Sequence, residues 1–104
     1  MVLYIEKHDI HPDKAEVYDK WVPGAIQRVL AVPGVVEFRA YRVAGGSHQV
    51  VATYEFADMA AWAAWYSSPE VQKAMDELHM HAFNVTSELW GPSPVVPKPI
   101  RPGK

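Results

Sequence analysis

A chain of 104 residues, 49% hydrophobic and 21% charged, is one folded domain and is neither two domains nor disordered throughout. Its net charge of −2, with no run of basic residues, gives nucleic acid no electrostatic footing, and its longest apolar run, Met59–Tyr66, falls far short of the ~18 residues of a membrane span. Without cysteine there is no disulfide, thiol nucleophile or Cys-ligated metal, and with no basic-then-apolar leader the expected location is the cytoplasm.

Residues 2–10 alternate as a strand, with Leu3 and Ile5 expected toward the core and Tyr4, Glu6 and His8 on the mixed face. His11-Pro12-Asp13 is helix-start chemistry, because Pro suits the first turn and Asp13 and Glu16 suit its positive end. A helix is predicted from about residue 12 to 30, with Val17, Trp21, Ala25 and Val29 on one stripe and Val22, Ile26 and Leu30 beside it. Pro23-Gly24 should kink or break it, at a cost of about 3 kcal/mol. Val32-Pro33-Gly34 ends the helix.

Residues 35–43 and 48–56 read as two strands joined through Ala44-Gly45-Gly46-Ser47, forming a hairpin. Asp58 is placed as N-cap of a helix bearing Met59, Trp62, Trp65 and Tyr66. Ser68-Pro69-Glu70 restarts the helix, and Val71, Met75, Leu78 and Ala82 then form its apolar stripe. Residues 83–90 alternate as a fourth strand.

Residues 91–104 hold five of the nine prolines and can form neither a helix nor a central strand. The domain is therefore residues 1–90, followed by a polyproline-like tail that hangs free or lies on a neighbour.

This order is a duplicated β-α-β half. It predicts a ferredoxin-like βαββαβ fold, a four-stranded antiparallel sheet with its helices on one face. Four Trp, five Tyr and three Phe are more aromatic area than one small core hides well. The other sheet face, expected to carry Tyr4, Tyr41, Tyr54 and Trp90 or their neighbours, should therefore be covered by a second copy.

Two stretches resemble the dimeric α/β barrel superfamily, on its antibiotic biosynthesis monooxygenase-like or EthD-like branch. One is WVPGAIQRVLAVPGVVEFRAY (residues 21–41), with the helix, V-L-x-V-P-G, strand join; the other is YEFADMAAWAAWYSSPEVQKAMDEL, with its D-x-x-A, aromatic, S-P-E pattern. The resemblance spans residues 1–90. It implies a homodimeric α/β barrel and a range of activities: cofactor-free monooxygenases, haem-degrading enzymes, lactone isomerases and polyketide cyclases. The haem-degrading pattern matches at Trp65 and then departs. Met75 and Asp76 stand in its iron-ligand region, Glu6 and Lys7 stand where it has a strand Asn, and His79 comes too late. Another branch places a His after the first-helix Trp, where this chain has Ala25 and Ile26. Haem is disfavoured on these grounds and no cofactor is expected.

Among the five histidines, His8 and His11 read as exposed corner residues or half of a metal site, and no metal motif accompanies them. His48, beside the Gly-Gly turn, reads as solvated. His79 borders the apolar stripe and is the expected general base, with His81 second to it. Trp21, Phe38, Trp62, Trp65 and Tyr66 are the expected substrate walls, although such stripes also pack cores. The reading is a small cofactor-independent enzyme on an aromatic or polyketide-like molecule, most simply a monooxygenase. A cyclase or isomerase in the same pocket, or a non-catalytic small-ligand-binding dimer, are the alternatives.

Overall fold

The computed structural model describes residues 1–103. Its elements are β1 (Val2–Ile10), a 3-10 turn (Pro12–Lys14), α1 (Ala15–Ala31), β2 (Val35–Arg42), β3 (Val50–Phe56), α2 (Met59–Tyr66), α3 (Pro69–His81) and β4 (Ala82–Trp90). The four strands form one sheet in the order β2-β3-β1-β4, and every neighbouring pair is antiparallel. This is the expected ferredoxin-like α+β fold, with β2 and β3 as the expected hairpin. The described part of the tail has no regular element.

α1 runs unbroken through Pro23, so the expected break there is absent. The missing N–H and the ring clash fall where Pro23 and Gly24 are exposed and water can take the freed carbonyl. The helix also sits rotated from the predicted stripe. Tyr18, Ala25 and Val29 are buried, while Val17 is 55% exposed.

The second helical segment divides as predicted. Asp58 caps α2 by accepting from Ala61 N at 2.8 Å. Ser68 holds the N-cap position of α3 without a side-chain cap bond. Gly34 makes the turn from α1 into β2 at φ +129°, a conformation closed to most side chains, with Trp65 Cβ close by.

The assignment of sheet faces is corrected by the structure. Tyr4 and Tyr54 pair across β1 and β3 on the helix-covered face, and their rings pack against Trp65 at 6.0 and 5.0 Å. Leu3 and Ile5 point the other way, and neither belongs to the clusters beneath the helices. The aromatic rings bury more area than Leu or Ile, so they claim the space under the helices. Trp65 and Phe56, both 0% exposed, centre that core. Tyr41 and Trp90 do lie on the outer face, in register with Leu3, Ile5, Lys7 and Val51.

Candidate functional site

Between α1, α3 and the sheet lies a cavity of about 80 Å³. Val22, Ala25, Ile26 and Val29 of α1 and Ala74, Met75 and Leu78 of α3 wall one side. Ala40, Val50, Ala52 and Tyr54 wall the sheet side. Its polar groups are Glu6, His8 and Tyr18, with Trp21 beside them. Ala40 is exposed on the edge strand β2 and marks where the cavity reaches the surface. An apolar cavity of about 150 Å³ admits benzene, so a substituted ring enters this one only if its walls move apart.

The buried charged or polar side chains among the described residues are Glu6 and His8, 4% and 3% exposed. They stand two apart on β1, so the period-2 pleat aims both under the helices. Glu6 Oε2 lies 2.5 Å from His8 Nδ1, and the Tyr18 hydroxyl lies 2.7 Å from His8 Nε2. An ionised carboxylate only accepts, so against it Nδ1 donates. In the neutral imidazole Nε2 then accepts from Tyr18. Burial first, and then the charge of Glu6, push the Tyr18 hydroxyl up to about 12. Burial likewise raises the Tyr54 phenol.

His8 is therefore not an exposed corner residue. The strand extends two residues beyond it, and the imidazole is sealed in by Tyr18. The signal available in the sequence was the E-x-H spacing on a strand, which puts a carboxylate and an imidazole on one face.

The expected placement of His79 on the cavity wall is not met. It is exposed, and its Nδ1 lies 2.8 Å from the Met75 carbonyl. One residue past the inward-facing Leu78 is 100° round the helix, which is enough to carry the ring out of the cavity. His81 is half-buried, with its ring 5.0 Å from that of Trp21, outside the cavity lining. His11 stacks on Phe83, and His48 is half-buried beside Ser47 rather than solvated. No group of three or more His, Asp or Glu among the described residues is placed to hold a metal ion.

Of the expected aromatic walls, Trp21 lines the cavity. Its Nε1 donates to Glu77 Oε1 at 2.8 Å, and Arg28 grips the same carboxylate with two bonds of 2.7 and 3.1 Å. That grip, followed by the Trp21 bond, lowers the Glu77 carboxyl to about 2. Trp65 is core, with Nε1 donating to the Val29 carbonyl at 2.8 Å. Phe38 packs on Tyr54 in the same core. Trp62 and Tyr66 stack at 5.2 Å and line, with Tyr4 and Ser87, a shallower hollow of about 250 Å³. The larger hollow thus holds the buried Tyr4 phenol but not the Glu6–His8 pair.

Residues 1–77 match the family model described as antibiotic biosynthesis monooxygenase. The chain belongs to this family. Solved structures share its fold. A mutant of SnoaB, described as a cofactor-independent oxygenase from Streptomyces nogalater, superposes with a TM-score of 0.73 and 16% identity over 93% of this chain and 97% of that one. A dabb family protein with a ferredoxin-like fold from Mesorhizobium loti gives 0.78 and 17% identity over 88% and 96%. HapK from Hahella chejuensis gives 0.72 and 18% identity over 90% and 94%. Among curated proteins no sequence matches this chain. Membership of the family supports a small-molecule role of monooxygenase or cyclase type. No helix of the described residues is long and apolar enough to cross a membrane.

Proposed function

We propose that this protein is a cofactor-independent enzyme that deprotonates a small aromatic molecule in the cavity under α1 and α3, most simply as a monooxygenase. The base is the imidazole of His8. The observation that carries this reading is the buried Glu6–His8 pair, at 2.5 Å, on the wall of a largely apolar cavity. A carboxylate and an imidazole buried together cost stability, so their retention on a cavity wall points to use rather than to packing. Removing a proton makes the substrate electron-rich enough to give an electron to oxygen, so the protein's tasks are to bind, orient and take the proton. Cyclisation starts from the same deprotonation and differs in not consuming oxygen.

The test is a panel of hydroquinones, anthrones and β-polyketide mimics, followed by oxygen electrode and by product analysis. The expected result is turnover that falls at least about 10²-fold in His8→Gln with the fold retained. Turnover unchanged by that substitution would remove His8 as base. Product without oxygen uptake would select the cyclase.

The homodimer is part of the same proposal. The outer sheet face carries Leu3, Tyr41, Val51 and Trp90, interleaved with the Lys7–Glu88 and Arg39–Glu37 ion pairs, while Ile5 on the same side is already buried. A second copy laid on that face would cover its aromatic rings, and sedimentation at twice the chain mass is the expected outcome. The proposed location is the cytoplasm, which suits a chain without cysteine.

A further inference from the structure

Both ring nitrogens of His8 are occupied, Nδ1 by Glu6 and Nε2 by Tyr18. A base whose lone pair already accepts a hydrogen bond does not meet a substrate directly. The group in line with that lone pair is the Tyr18 hydroxyl, and Tyr18 also lines the cavity.

We propose that Tyr18 is the residue that contacts the substrate's acidic proton, and that Glu6, His8 and Tyr18 form a relay. This rests on the reading of the cavity as the reaction site. The substrate O–H or C–H bond breaks as its proton moves to Tyr18 Oη. The original Tyr18 proton moves to His8 Nε2. Glu6 keeps its charge and faces the new imidazolium. The substrate leaves the step as an anion, one positive charge appears on His8, and no other reactant is needed.

Burial makes a free Tyr18 phenolate costly, since the hydroxyl sits at about 12. A relay in which Tyr18 gains one proton as it gives up another never forms that phenolate. Glu6 is a positioning residue: it holds the proton on Nδ1, leaving Nε2 to receive. Around them, Tyr54 of β3 is a phenol raised by burial, and Arg42 and Asp19 act on Tyr18 with opposite signs.

The probe is para-nitrophenol, whose anion absorbs in the visible, mixed with the whole protein at a pH well below its ionisation midpoint in water. Binding is followed separately by quenching of tryptophan fluorescence. The expected result is a nitrophenolate band in the wild-type complex that drops by about tenfold in Tyr18→Phe, equivalent to one unit of proton affinity, while quenching persists. Tyr18→Phe removes one oxygen, so it keeps the comparison open even where His8→Gln fails to fold.

A band that survives in Tyr18→Phe overturns the relay and leaves His8 as a direct base. A band that survives in folded His8→Gln overturns the relay and the base together. Quenching absent from the wild type overturns the cavity as an aromatic site, and the relay with it. Glu6→Gln should weaken the band yet leave quenching intact; an unchanged band there removes Glu6 from the relay.

Discussion

Glu77 on α3 holds Trp21 on α1: its Oε1 accepts from the indole Nε1 at 2.8 Å while Arg28 grips both carboxylate oxygens. One carboxylate therefore ties the two helices over the cavity and fixes the single expected aromatic wall that lines it.

The tie has a pH signature. Arg28 and then Trp21 bring the Glu77 carboxyl down to about 2 from its ordinary 4.5. A depressed carboxyl stabilises the fold above its ordinary value, and that contribution is lost as pH falls through about 2. Urea midpoints measured from neutral pH down to pH 2 should therefore fall less steeply in Glu77→Gln than in the wild type. The site is partly solvated, so the difference should shrink in high salt. Equal slopes for the two proteins would contradict this assignment.

Tyr18 gives the opposite end of the pH scale. Its phenol is raised to about 12 by burial, and Tyr4 and Tyr54 are raised by burial as well. A phenol raised in the folded state stabilises the fold below its ordinary value near 10 and loses that contribution as pH climbs through the folded value. Stability should decline above about pH 10, with tyrosinate absorbance rising together with loss of structure. Tyr18→Phe should decline less over the same range, and at neutral pH should be weaker by about 1–3 kcal/mol because a buried His8 nitrogen loses its donor.

Trp65 is 0% exposed and satisfies the Val29 carbonyl from inside the core. Trp65→Ala should cost about 3–5 kcal/mol, read from chemical denaturation. Trp65→Phe should cost about 1–3 kcal/mol through the orphaned carbonyl. Neither substitution acts on a cavity-lining side chain. A ligand-binding loss in folded Trp65→Phe, at unchanged stability, would count against this core assignment.

Asp58 caps α2 at its exposed start. Asp58→Ala should cost about 1 kcal/mol and Asp58→Asn much less, because Asn can still accept from Ala61 N. Thermal midpoints of the two variants give the comparison, and equal losses would mean that charge rather than capping carries the effect.

Much of the fold was legible because its signals are local. Alternation marked four strands, Asp58 and Pro69 marked two helix starts, and Pro33-Gly34 marked a turn. The ferredoxin-like layering followed from the order of elements. The helix itself was legible, but its unbroken course at Pro23 was not, because whether a proline breaks a helix depends on its surroundings in the fold.

The candidate site was legible only in its ingredients. Glu6, His8 and Tyr18 are each unremarkable in the sequence, and His79 had the better local argument. Period 2 says that Glu6 and His8 share a face, yet which face a strand buries is decided by the partner laid on it. Here Tyr4 and Tyr54 took the helix-covered side and Glu6 and His8 lie under the helices with them, while Ile5, 1% exposed, is buried on the opposite side of β1. A rotation of α1 then brought Tyr18 to His8, while a 100° step past Leu78 took His79 out to water. The sequence by itself determined the elements and their order, since those depend on near neighbours along the chain. Only the tertiary structure decided which imidazole meets the cavity, because the rotation of a helix about its axis and the choice of sheet face are set by packing between residues distant in the chain.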